Sequence, residues 1–185
     1  IPPLPEEFTV AIMKTDKSDF DKYCGYLMDE IMAAMPDIKF KVFGDGQCKR
    51  ELANVENCGY VKMDEFIPKC SAFLRIVKHD GMMMAANQFV MMGRDAITNL
   101  KMPFMEYIDT QVNPKKWDKF SLGFSIENYP ATKTAVIERI RQVKNGKAGN
   151  VEKWQRLEAK QYYVNLLDKK KYKNKMYEIM NQGKR

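Results

Sequence analysis

Apolar residues along this chain come alternately in short continuous runs and in helically spaced sets. FTVAIMK at 8–14 is a continuous apolar run of the kind needed by a strand buried on both faces. Polar TDKSDF interrupts it, and Ser18 followed by Asp21 predicts a helix N-cap with an acidic first turn. Phe20, Tyr23, Cys24, Leu27, Ile31 and Met35 then recur at helical spacing up to Pro36, which cannot continue a helix. IKFKVF at 38–43 predicts a second strand, closed by Gly44-Asp45-Gly46. Residues 50–53 predict a short helical turn, and VENCGYV at 55–61 a third strand. MDEFIPKC at 63–70 is helical in pattern but broken at Pro68, and SAFLRIV at 71–77 is a fourth strand.

The stretch 73–97, FLRIVKHDGMMMAANQFVMMGRDAI, organises the rest. A strand leads into a turn crowded with Arg75, Lys78, His79 and Asp80 and ending in Gly81. A helix over 82–92 and a fifth strand over 94–99 follow. Residues 103–108 predict a short sixth element and 109–123 a loop. After Pro130, the set Val136, Ile137, Ile140 and Val143 marks an amphipathic helix that stops at Asn145-Gly146. Trp154, Leu157, Tyr162, Tyr163, Leu166, Leu167, Tyr172, Met176, Tyr177 and Met180 predict one or two closing helices over 152–180. This alternation predicts an α/β fold: a doubly wound, mostly parallel, Rossmann-like sheet forming one domain over 8–185, with additional C-terminal helices from about 131. Residues 1–7, with Pro2, Pro3 and Pro5, read as a stiff connector cut from a longer chain.

Charge adds a partner class without choosing it. A net +7 and a pI near 9.1 admit nucleic acid, an acidic membrane surface or a phosphorylated ligand. Much of the excess lies in Lys169, Lys170, Lys171, Lys173 and Lys175, and the neighbouring aromatics are spaced like a helix core rather than a stacking platform. No nucleic-acid partner is therefore expected, while peripheral contact with an anionic membrane stays open. Cys24, Cys48, Cys58 and Cys70 stand apart with no C-x-x-C pair and one histidine, which argues against a zinc centre or disulfide framework and for reduced thiols in a cytoplasmic compartment. No apolar run approaches the ~18 residues of a membrane-spanning helix. No cofactor or metal is expected.

The turn at 75–81 opens into a helix whose first backbone N–H groups lack intrahelical partners, an arrangement that suits a phosphate-bearing ligand. Plainer readings stand beside this one. Asp80 alternatively serves only as a helix cap, and Gly44-Asp45-Gly46 only as a tight turn. Arg75 reads as a long side chain snorkelling out at the sheet end, and the methionine clusters at 82–84 and 91–92 as flexible core filling.

Four turns follow predicted strands in order: Gly44-Asp45-Gly46, the stretch from Val55 through Gly59 to Val61, Met63-Asp64-Glu65-Phe66-Ile67, and Asp80-Gly81 opening a helix that ends at Gly93. In that order and spacing, residues 8–108 resemble the C-terminal, nucleotide-sugar-binding domain of GT-B fold glycosyltransferases of the retaining, glycogen-synthase-like group 1 superfamily. The C-terminal helices share the resemblance less specifically. The family carries two glutamates separated by seven residues; here Asp80 and Gln88 stand at those positions.

The resemblance implies a hexosyltransferase-like enzyme whose donor is a UDP- or GDP-sugar and whose products keep the anomeric configuration. Asp80 would contact sugar hydroxyls and Gln88 the ribose. Gly81 and the backbone of Met82, Met83 and Met84 would receive the diphosphate, with His79 and Lys78 beside it. Lys14 and Lys17 would neutralise the leaving diphosphate, Gly44 would line the site, and Tyr60 and Val61 would take the base through backbone groups. An N-terminal lobe outside these residues would supply the site for a glycan, protein or lipid acceptor. The alternative is a degenerate, non-catalytic binding or scaffolding module of the same fold, because Gln88 has lost the second carboxylate.

Overall fold

The computed structural model describes residues 1–15, 24–77, 83–108, 129–146, 153–166 and 168. The chain's apolar runs become parallel strands because they can be covered from both sides. β1 (Thr9–Met13) and β4 (Ala72–Arg75) are the most continuously buried, and they pair with each other at the centre of the sheet. β2 (Lys39–Phe43) and β3 (Val55–Gly59) extend it on one side, and β5 (Asp95–Thr98) and β6 (Glu106–Tyr107) on the other. The order is β3-β2-β1-β4-β5-β6, with every pairing parallel. Edge strand β3 bears polar Glu56 and Asn57, which discourages further strand pairing there.

Strand alternation sends Val10 and Ile12 to one face and Ala11 to the other. On the first face α1 (Gly25–Ala33) and α4 (Tyr129–Lys144) bury Leu27, Ile31, Val136 and Ile140 against Val42, Leu74 and Ile97. On the second, α3 (Met84–Met91) and α5 (Lys153–Leu166) pack together, and Phe89 stacks on Phe73 at 4.7 Å. The short α2 (Met63–Phe66) and the 3-10 turn Ile67–Lys69 bring Phe66 to 5.1 Å from Phe43 on that same face. Helices on both faces of a parallel sheet make the expected doubly wound α/β fold.

Side chains fix several of the junctions. Asn54 donates from Nδ2 to the carbonyls of Met32, Met35 and Ile38, closing the C-terminal end of α1 where Pro36 forbids another turn. Arg94 donates to the carbonyls of Pro2, Pro3, Ile67 and Pro68, tying the proline-rich opening to the start of β5.

One local expectation changes. Arg50 is a bend, 51–52 are irregular and Ala53 begins a turn, rather than the four making a helical turn. Their neighbours satisfy their backbone groups elsewhere: Cys48 N–H donates to Asn57 Oδ1 at 2.9 Å, and Val55 N–H donates to the Leu52 carbonyl at 3.1 Å. The predicted cap at Ser18 and Asp21, with Phe20 and Tyr23, lies outside the described residues. So do the 109–123 loop, Leu167, the continuation of the closing helix to Met180 and the lysines at 169–175. Nor are the side chains of Trp154, Leu157 and Leu166 described.

Candidate functional site

In this strand order the chain reverses direction of growth between β1 and β4, which leaves a crevice beyond their carboxyl ends, the usual ligand position of open α/β sheets. Three turns meet there and are laced by backbone bonds. Lys14 N–H donates to the Phe43 carbonyl at 2.9 Å, Gly46 N–H to the Lys14 carbonyl at 3.1 Å, and Gly44 N–H to the Gly59 carbonyl at 2.9 Å. Gly44 holds φ +110°, and a Cβ there would overlap the Lys14 carbonyl oxygen; a Cβ at Gly46 would come within 2.7 Å of the Thr15 nitrogen. The Gly-Asp-Gly segment is thus more than a tight turn. It is a close approach of the β2 exit to the β1 exit. A register shift between β2 and β3 then sets Gly59, at φ +64°, opposite Phe43, and this bulge at the rim re-aims the chain into Tyr60.

Two helices open onto the same end of the sheet. Cys24 before α1 has φ 51° and ψ 43°, and Met83 before α3 has φ 47° and ψ 45°. The left-handed conformation costs a non-glycine residue about 1–2 kcal/mol. Neither N-cap residue, Cys24 or Met83, makes a side-chain cap hydrogen bond, so among the described residues no side chain caps the positive ends of these two helix dipoles.

The side chains around the crevice divide into held and presented groups. Lys14 is 1% exposed, and its ammonium donates to the Asp29 carboxylate of α1. Cys48 joins this pair: burial pushes its thiol pKa up, and the hydrogen bond to Asp29 adds to the shift. Arg75 is also buried, with Nη1 donating to Met13 Sδ at 3.7 Å, so it lies within the β1–β4 seam rather than snorkelling out. Tyr60, 84% exposed, and Met84, 47% exposed, are presented, and Val61 is half-buried beside Tyr60. Gln88 is half-buried one turn beyond Met84, on the same face of α3. Met83 is buried.

The expected site residues Lys17, Lys78, His79, Asp80, Gly81 and Met82 lie outside the described residues; Val77 and Met83 on either side of the 78–82 segment are described. Thr15 was missed from the sequence. Its hydroxyl is buried with no hydrogen-bond partner among the described residues, directly after Lys14. A hydroxyl at the exit of the first strand is the signal that points to it.

Other perturbed groups lie on the sheet or beneath it. Burial lowers the Lys41 pKa, but the hydrogen bond and charge of Glu56 outweigh it and leave it raised; Glu56 is lowered, chiefly by that same bond. Burial pushes the Cys70 thiol and the Tyr163 hydroxyl each up to about 12. Among the described residues no group of three His, Cys, Asp or Glu is placed to hold a metal ion, and no helix is long and apolar enough to cross a membrane.

No family model and no curated protein sequence matches the chain. Solved structures do. The pneumococcal O-GlcNAc transferase GtfA, in complex with UDP and GlcNAc, superposes over 96% of the chain at a TM-score of 0.64 and 15% identity. WaaG, a glycosyltransferase of lipopolysaccharide biosynthesis, covers 87% of it at 0.52 and 13% identity. The catalytic domain of the cholesterol-α-glucosyltransferase from Helicobacter pylori covers 85% at 0.52 and 14% identity. The fold is the Rossmann-like α/β fold of GT-B glycosyltransferases, as the motifs in the sequence implied. The chain spans 37% of GtfA and 44% of WaaG, and matches 99% of the Helicobacter domain.

Proposed function

We propose that this chain is the donor-binding lobe of a glycosyltransferase, taking a nucleoside diphosphate sugar in the crevice between β1 and β4. The observation that carries this reading is the convergence there of three laced turns and two helix N-termini whose N-cap residues, Cys24 and Met83, make no side-chain cap hydrogen bond, a lining for an anion on a protein whose fold neighbours are glycosyltransferases.

The diphosphate sits against the backbone of Gly81, Met82, Met83 and Met84, with Lys78 and His79 beside it. Asp80 accepts from sugar hydroxyls, and Gln88 exchanges hydrogen bonds with the ribose, replacing a charge-assisted bond by a neutral one. The base lies at Tyr60 and Val61. In the transfer, the bond from the anomeric carbon to the β-phosphate oxygen breaks, its electron pair leaves with the diphosphate, and a bond to an acceptor hydroxyl forms as that hydroxyl's proton is released. The configuration is retained. Charge grows on the departing diphosphate, and Lys17 is the cation that meets it. Lys14, committed to Asp29, acts by anchoring the exit of β1 to α1 beside the diphosphate. A second lobe supplies a glycan, protein or lipid acceptor.

Gln88 favours a second reading, a degenerate module that keeps the fold without turnover. Calorimetric titration with UDP- and GDP-sugars separates the two from a protein with no donor site. The enzyme reading expects saturable binding that weakens on Asp80→Ala. Absence of any binding at millimolar ligand sinks the donor site altogether, and binding indifferent to Asp80→Ala favours the scaffold.

A further inference from the structure

The sheet's ladder between β4 and β5 ends at the pair Arg75 and Thr98. The pairing does not stop there. Asn99, the next residue after β5, takes over with its side chain: Oδ1 accepts from the Val77 N–H at 3.0 Å and Nδ2 donates to the Val77 carbonyl at 2.7 Å. The carboxamide thus reproduces both bonds of a strand partner for a residue two positions past the end of β4. It does so at 8% exposure, where water competes little for either group. The neighbouring Thr98 hydroxyl, itself fully buried, donates to Met83 Sδ at 3.6 Å and accepts from the Leu100 N–H at 3.1 Å. Two consecutive residues of the β5 exit therefore reach Val77 and Met83, the residues that flank 78–82 on either side.

From this juxtaposition we propose that Asn99 is a positioning residue for the diphosphate end of the donor site. It fixes where the chain leaves β4 at Val77 and, with Thr98 against Met83, how the opening of α3 is presented to the crevice. The inference rests on the donor-site reading above. Asn99 touches no ligand in this account; it acts through the Val77 backbone. Its effect falls on the diphosphate and sugar end of the site, while the base end at Tyr60 is carried by β3, at the opposite side of the sheet from β5.

That difference gives a test that a general loss of stability would not mimic. The wild-type chain, Asn99→Ala and the nearly isosteric Asn99→Asp are titrated with UDP, GDP, uridine and guanosine, and a thermal transition is recorded for each. Asp keeps the acceptor for Val77 N–H but sets an anionic oxygen against the Val77 carbonyl. Both variants are expected to lose about tenfold in affinity for the preferred nucleoside diphosphate, the scale of one or two net hydrogen bonds, with nucleoside affinity unchanged. The proposal is overturned if diphosphate and nucleoside affinities fall together, or if neither falls, in a variant that keeps a cooperative transition. If the wild type binds neither UDP nor GDP, the donor reading fails and takes this role with it; wild-type binding with an unaltered ratio in the variants removes only Asn99.

Discussion

Gly44 concentrates two constraints in one residue: a left-handed backbone at φ +110° and a Cα face pressed on the Lys14 carbonyl. An alanine there meets both. We expect Gly44→Ala to destabilise the chain by about 2 kcal/mol or more, read as a lowered midpoint in chemical denaturation. A wild-type midpoint would mean that the β1 and β2 exits do not touch as described. The sequence makes Gly44-Asp45-Gly46 recognisable as a turn, since glycine and aspartate supply turn conformations. It does not show the contact with Lys14, thirty positions away, because a close approach between two strand exits is a property of their pairing. Asn99 is hidden for the same reason. Its amide reads as an ordinary polar strand end until Val77 is placed beside it.

At the scale of elements, the ion pair of Lys14 and Asp29 joins β1 to α1 under the crevice. Removing one partner strands the other charge in a site with little water. Asp29→Ala is therefore expected to cost about 3–5 kcal/mol, and the double replacement Lys14→Met with Asp29→Leu to recover most of it, since an apolar pair of similar volume carries no desolvation cost. Denaturation of the single and double variants measures this; a single variant within about 1 kcal/mol of wild type would contradict a buried pair. The strand runs were legible because a strand covered on both faces leaves an unbroken apolar record, as in β1 and β4. Helices left weaker marks. The α1 N-terminus follows Cys24 in a left-handed conformation, a residue that makes no side-chain cap hydrogen bond, and the 50–53 stretch, helical in composition, lies between Cys48, held to Asn57 of β3, and the start of β3 itself.

For the whole molecule, alternation of strand and helix implies a doubly wound sheet, yet it leaves the strand order open. The order found, with β1 and β4 side by side at the centre, is what makes a crevice and aims α1 and α3 at it. Of the large apolar side chains left exposed, Tyr26, Tyr60 and Met84 all stand at that end of the sheet, where a ligand or a second lobe would cover them. The proposed donor site is therefore defined by place: a nucleoside diphosphate is expected at the carboxyl ends of β1 and β4. Amide chemical-shift mapping of the labelled chain during titration with UDP and GDP tests it most directly. Perturbations gathered at Gly44, Gly46, Gly59, Tyr60, Met83 and Met84 are the predicted result. Shifts confined to the lysines at 169–175, or to the opposite end of the sheet around Arg94, would contradict it.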